Sequence, residues 1–237
     1  RIPAVNARIE SRNELDSMVV NVELTVNSII QGVALSFLVD SARNVLASGR
    51  TGTWLYVYAG LVIILVFWVR SLIHTWTLMR WPLELGHNCL YFLCALVEVL
   101  AFTHLNEPFM WFALLAVFAL TVWAVFIYDL RVIRLRMEDS AGVNGSELYA
   151  AVLRDQWLNI VVVVPLLILL NAGAAFAIHA RPDFFIARDA HLILIAAEAL
   201  GLSGYLWFVI RGFTKLTPLI AATREDWRTQ PAELPDE

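Results

Sequence analysis

Residues 54–79 read WLYVYAGLVIILVFWVRSLIHTWTLM, and in these 26 positions Arg70 is the only full charge. About 20 apolar residues cross the roughly 30 Å hydrocarbon core of a bilayer as a helix, so this stretch predicts a membrane span. Five further windows predict the same, at about 17–39, 87–106, 108–130, 157–179 and 190–211. The chain of 237 residues is 59% hydrophobic and 16% charged, where soluble domains average about 45–50% and 25%. Six spans account for that excess without a large soluble domain. The expected fold is an all-α integral membrane protein of six transmembrane helices with short loops. It divides into an N-terminal segment 1–16, a six-helix domain 17–216 and a polar tail 217–237 whose end is expected to be disordered.

The connections follow from punctuation. Asn106-Glu107-Pro108 reads as a tight hairpin between spans three and four, with Pro108 suited to a first helical turn. Trp81, in the short link 80–86, suits the headgroup level. The longest connection, 131–156, reads as two helical extensions around a turn at 141–145, with Ser146 as the cap of the second. Arg8, Glu10, Arg12, Glu14 and Asp16 leave the first twenty residues without the apolar stretch of a signal peptide.

Cation placement sets the expected orientation. Apart from Arg70, Arg1, Arg8, Arg12, Arg80, Arg131, Arg134, Arg136, Arg154, Arg211, Lys215, Arg224 and Arg228 fall on one side, and Arg43, Arg50, Arg181 and Arg188 on the other. The positive-inside rule then puts both termini and the 131–156 extensions in the cytoplasm, with the chain in the plasma membrane. Seventeen Lys+Arg against 21 Asp+Glu give a net charge of −4. No basic run interleaves with aromatics, so nucleic acid is not an expected partner. Cys89 and Cys94 read as free thiols of an apolar helix.

Ionisable groups at membrane depth cost a few kcal/mol, so those within the spans are the informative positions. In the first span Glu23, Asn27 and Gln31 recur every four residues, with Asp16 extending their face. Beside them Ser28, Gly32 and Ser36 form a small-residue stripe. The functional reading makes this helix the lining of a hydrated path, and the plainer one makes it a packing helix. Arg70 and His74 lie one turn apart in the second span, and counting depth from the helix ends predicts a Glu23–Arg70 ion pair. In the third span Glu84, His87, Tyr91, Cys94 and Glu98, at steps of 3, 4, 3 and 4, fall on one stripe of proton-bearing groups; the plainer reading makes His87 interfacial. Glu198 in the sixth span and Asn171 in the fifth are expected as hydrogen-bond partners at mid-depth. Pro165 is expected to free a backbone carbonyl for a cation or a hydroxyl. His104, His179 and His191 map to the external span ends as candidate pH sensors.

No Walker loop, GxSxG, dinucleotide fingerprint or HExxH occurs, so the expectation is no enzyme, no cofactor and no metal site, with a haem or quinone redox role kept as a minor alternative. The leading expectation is an oligomeric ion channel or proton-coupled transport protein, with lipid and further copies of itself as partners. The alternative is a non-conducting sensor, anchor or accessory subunit that binds a protein through its cytoplasmic 131–156 helices.

Overall fold

The computed structural model describes residues 2–49, 51–79, 85–138 and 143–229. In chain order these form α1 (Ile2–Ser48), a 3-10 turn (Thr51–Thr53), α2 (Trp54–Leu78), α3 (Leu85–Phe102), α4 (Pro108–Glu138), α5 (Val143–Leu158), a π turn (Asn159–Val163), α6 (Val164–Ala180), α7 (Pro182–Phe185) and α8 (His191–Thr229). Six helical segments are long and apolar enough to cross a membrane, as the window lengths predict. Trp81 of the second link, Glu84 of the third-span stripe, residues 141–142 and the end of the tail lie outside the described residues.

Three boundaries differ from expectation, each because packing extends or shortens a helix. The third span ends at Phe102, since residues 103–107 fold back through turn hydrogen bonds such as His104 N to Ala101 O, before α4 begins at Pro108. α5 begins at Val143, so Ser146 sits inside the first turn and is not its cap; the fully buried Leu148 and Tyr149 anchor that turn instead. The last helix runs on to Thr229 through Pro218, a residue that costs a helix interior roughly 3 kcal/mol. Its continuation docks on the end of α2, where the Arg224 guanidinium donates to Trp76 O at 3.1 and 3.3 Å. The last carbonyls of a helix have no intrahelical donor, and a cation there is favourable. Residues 217–229 are therefore part of the bundle.

That end of the bundle has its own apolar core, made by Leu78, Val132, Ile133, Leu148, Tyr149, Val152 and Ile220. The main core joins α1, α2, α3, α4, α6 and α8 around Leu38, Tyr56, Phe102, Trp111 and Ile195, with Tyr56 and Trp111 in edge contact at 5.4 Å. At Gly60 a Cβ would stand 2.8 Å from the Leu38 side chain, so glycine lets α1 and α2 approach. Gly49, at φ +68°, follows α1 in the left-handed conformation that glycine adopts without a Cβ penalty. Large apolar side chains such as Leu169, Phe176, Ile193 and Leu200 point outward, as a lipid-facing surface requires.

Candidate functional site in a cavity between the helices

The π turn begins the site. Val164 N donates to Asn159 O, a five-residue step, and the next residue, Pro165, has no N–H to continue that register. The carbonyl this strands is Ile160 O, and Trp123 Nε1 of α4 donates to it at 2.9 Å. Pro165 thus frees a carbonyl as expected, but an indole N–H takes it in place of a cation or hydroxyl. The widened turn sets Asn159 beside α8, where it accepts a hydrogen bond from Tyr205.

Around that turn lies a cavity of about 130 Å³, walled by α2 to α6 and α8. Most of its wall is aliphatic or aromatic, and the polar groups gather in three sets. In the first, Arg70 of α2 donates through Nε to Tyr205 at 3.0 Å and through Nη1 to Asp155 of α5. Phe126 and Tyr205 present ring faces to the guanidinium at 5.2 and 5.6 Å. Its Nη2 is buried with no partner. The expected Glu23–Arg70 pair does not form, because α5 brings Asp155 to Arg70 while Glu23 faces α3.

In the second set, Asp129 of α4 accepts from two imidazoles, His87 Nδ1 of α3 at 2.8 Å on one oxygen and His74 Nδ1 of α2 at 3.2 Å on the other. The rings stack in parallel, centroids 3.9 Å apart and planes 4° off. Asp129 and His87 are 5% and 3% exposed, so His87 is buried within the bundle although it stands in the first turn of α3. With an ionised Asp129 both Nδ1 atoms carry hydrogen, and His74 Nε2 is buried without a partner. In the third set, Glu198 of α8 accepts from Trp111 Nε1 at 3.2 Å with Asn171 beside it, matching the expected Glu198–Asn171 proximity. Asn171 Nδ2 also donates to Leu167 O at 3.0 Å.

The candidate residues therefore divide. Arg70, His74, His87, Tyr91, Asn171 and Glu198 border the cavity. Glu23, Asn27, Gln31 and Glu98 do not; they are buried in a seam between α1 and α3, where Asn88 Nδ2 donates to Glu23 at 3.1 Å and Gln31 Nε2 lies 3.5 Å from Glu98. Among the described residues α1 adds nothing to the cavity wall, whereas Ser28, Gly32 and Ser36 are exposed on its outer side. The three outer histidines stay apart. His191 contacts Tyr56 Oη at 2.8 Å and Asp189 at 3.6 Å, His104 turns back on Leu100 O at 2.8 Å, and His179 lies against Phe109. No hydrogen bond or ion pair links the three among the described residues.

Sequence reasoning missed Asp129, Asp155, Asn159, Tyr205 and Trp111. One signal for Asp129 was present: it is the sole charge in 108–130, an otherwise uncharged run. The signal for Asp155 was obscured by its place just ahead of the 157–179 window.

The fold and cavity define a class: a multi-pass helical membrane protein with charged groups lining a cavity between its helices. No protein-family model, curated protein or solved structure matches the chain.

Proposed function

We propose that the chain is a small membrane transport protein, an ion channel or a proton-coupled carrier. It works as a homo-oligomer in the plasma membrane with both termini in the cytoplasm. The observation that carries the reading is the cavity, whose wall gathers Arg70, His74, His87, Asp129, Asp155 and Glu198 from α2, α3, α4, α5 and α8. Charges are kept inside an apolar bundle only against a cost, and ionisable groups of membrane helices that face a cavity mark ion or proton pathways. The wall carries three carboxyl side chains, Asp129, Asp155 and Glu198, against the single guanidinium of Arg70, a balance that favours a cation. Twelve cations against four between alternate loop sides support the orientation. The exposed Ser28, Gly32 and Ser36 stripe on α1 suits close helix contact between copies.

In proteoliposomes the purified chain is expected to dissipate an imposed proton or monovalent-cation gradient, and Glu198→Gln to slow it. In a Cys89→Ser, Cys94→Ser background, Val122→Cys on the cavity wall is expected to react with a water-soluble thiol reagent. A chain that moves no ion and whose Val122→Cys stays unreactive from both sides removes the transport reading. The second reading, a non-conducting module that binds a protein partner, is favoured by the packed layer that 143–156 of α5 forms with the ends of α4 and α8. It gains if flux is absent.

A further inference from the structure

His74, His87 and Asp129 offer two imidazole nitrogens and a carboxylate oxygen that all lie within 4.8 Å of one another. We propose that this cluster binds a divalent transition-metal ion of the zinc class, Zn²⁺, Co²⁺ or Fe²⁺, on the cavity wall. The proposal goes beyond the transport reading, since such an ion can be resident or in passage.

The spacing supports it first. Ligands about 2.0–2.2 Å from one ion stand roughly 3.0–3.5 Å apart at right or tetrahedral angles. Each imidazole Nδ1 stands that far from its own Asp129 oxygen, 2.8 Å from one and 3.2 Å from the other, and one ligand atom from each residue falls within 4.8 Å of the other two. In the metal-free arrangement two Nδ1–H protons fill the gaps, and metal uptake at Nδ1 shifts each ring to its Nε2–H tautomer, so both imidazoles stay neutral. The parallel rings hold their lone pairs parallel, so one ring must turn off the stack for both to converge on an ion, and the adjoining cavity provides room for that turn.

The donor chemistry supports it next. Imidazole with one carboxylate suits borderline first-row ions, whereas Mg²⁺ and Ca²⁺ take oxygen shells. Three protein ligands leave a coordination position open toward the cavity, the arrangement of an exchangeable site and not of a closed structural one. The charge balance is also met. With neutral imidazoles the cluster carries −1, a divalent ion takes it to +1, and Glu198 borders the same cavity as a second carboxylate. The nearest cation on that wall, Arg70, already has Asp155 as its counter-charge.

The test uses the full chain purified in detergent without chelator and titrated with CoCl₂. The expected result is about one Co²⁺ per chain with visible ligand-field bands, displaced by Zn²⁺ and unaffected by millimolar Mg²⁺. His74→Ala, His87→Ala and Asp129→Asn are each expected to abolish the bands, and a His104→Ala, His179→Ala double variant to retain them. X-ray absorption on the unmodified chain needs no variant to fold, and is expected to show imidazole scattering around cobalt. Absence of stoichiometric cobalt, an all-oxygen shell, or bands that survive all three substitutions in folded protein would overturn the site. Flux without cobalt binding leaves the transport reading intact, and cobalt binding without flux leaves only the metal site.

Discussion

The α1–α3 seam and the cavity both bury carboxyl groups beside polar partners and do different things with them. In the seam, carboxylates meet amides: Asn88 on Glu23 and Gln31 beside Glu98. These groups come from two adjacent helices packed without a volume between them, and Glu23 Oε1, Gln31 Oε1 and Glu98 Oε1 stay buried without a partner. In the cavity, charge meets charge across more helices, Arg70 with Asp155 and Asp129 between His74 and His87, and the groups border an open volume. Polarity alone therefore does not mark a path. What separates packing from a candidate path is whether the helices that supply the polar groups also leave space between them.

The largest effect that would break this contrast is at Arg70. Removing one partner of a buried ion pair costs about 3–5 kcal/mol, and replacing both is close to neutral. With side-chain exposures of 14% and 30% for Arg70 and Asp155, Arg70→Met is expected to cost on the order of 2–4 kcal/mol. Arg70→Met with Asp155→Leu should recover most of that loss, as read by thermal unfolding in detergent. Equal losses in the single and double variants would mean that the pair is not the cavity's structural tie.

Next in size is the functional comparison between regions. Hydrogen bonds to charged groups are each worth about 1.5–3 kcal/mol, so Asp129→Asn is expected to slow flux by about tenfold or more. Glu198→Gln should slow it severalfold, and Glu98→Gln in the seam should leave it within about twofold once fold is matched. A flux defect larger at Glu98 than at Asp129 would move the path to the α1–α3 seam.

The smallest effect sharpens the account of the π turn. Trp123→Phe keeps an aromatic six-membered ring and removes the pyrrole N–H that donates to Ile160 O. Interhelical hydrogen bonds in membranes average about 0.6 kcal/mol, so the loss should be about 0.6–1 kcal/mol. No change in unfolding would show that the stranded carbonyl finds another donor.

Much of the scaffold was legible in the sequence, for a local reason: a run of apolar residues long enough to cross a bilayer leaves its backbone little choice but a helix. The stripe His87, Tyr91, Cys94 and Glu98 was legible too, because 3.6-residue periodicity places residues on a face whatever that face meets; all four are buried. Partners were not legible. Counting depth put Glu23 level with Arg70, but two residues at one depth can lie on opposite sides of a bundle. Helix ends were misread wherever a long-range contact decided them, as Arg224 does by docking α8 on the end of α2.

By itself the sequence determined that the chain forms six apolar helices, which faces carry polar groups and where prolines interrupt hydrogen-bond registers, since these depend on neighbours within a few residues. Only the tertiary structure decided that Asp129 sits between two histidines 55 and 42 positions earlier in the chain, that Asp155 answers Arg70, and that α1 stands outside the cavity wall. The physical reason is that side-chain pairing and enclosed volume arise from how helices pack against one another. That packing is set by many weak contacts across the bundle, such as the close approach of α1 and α2 at Gly60, and no local stretch of chain records their sum.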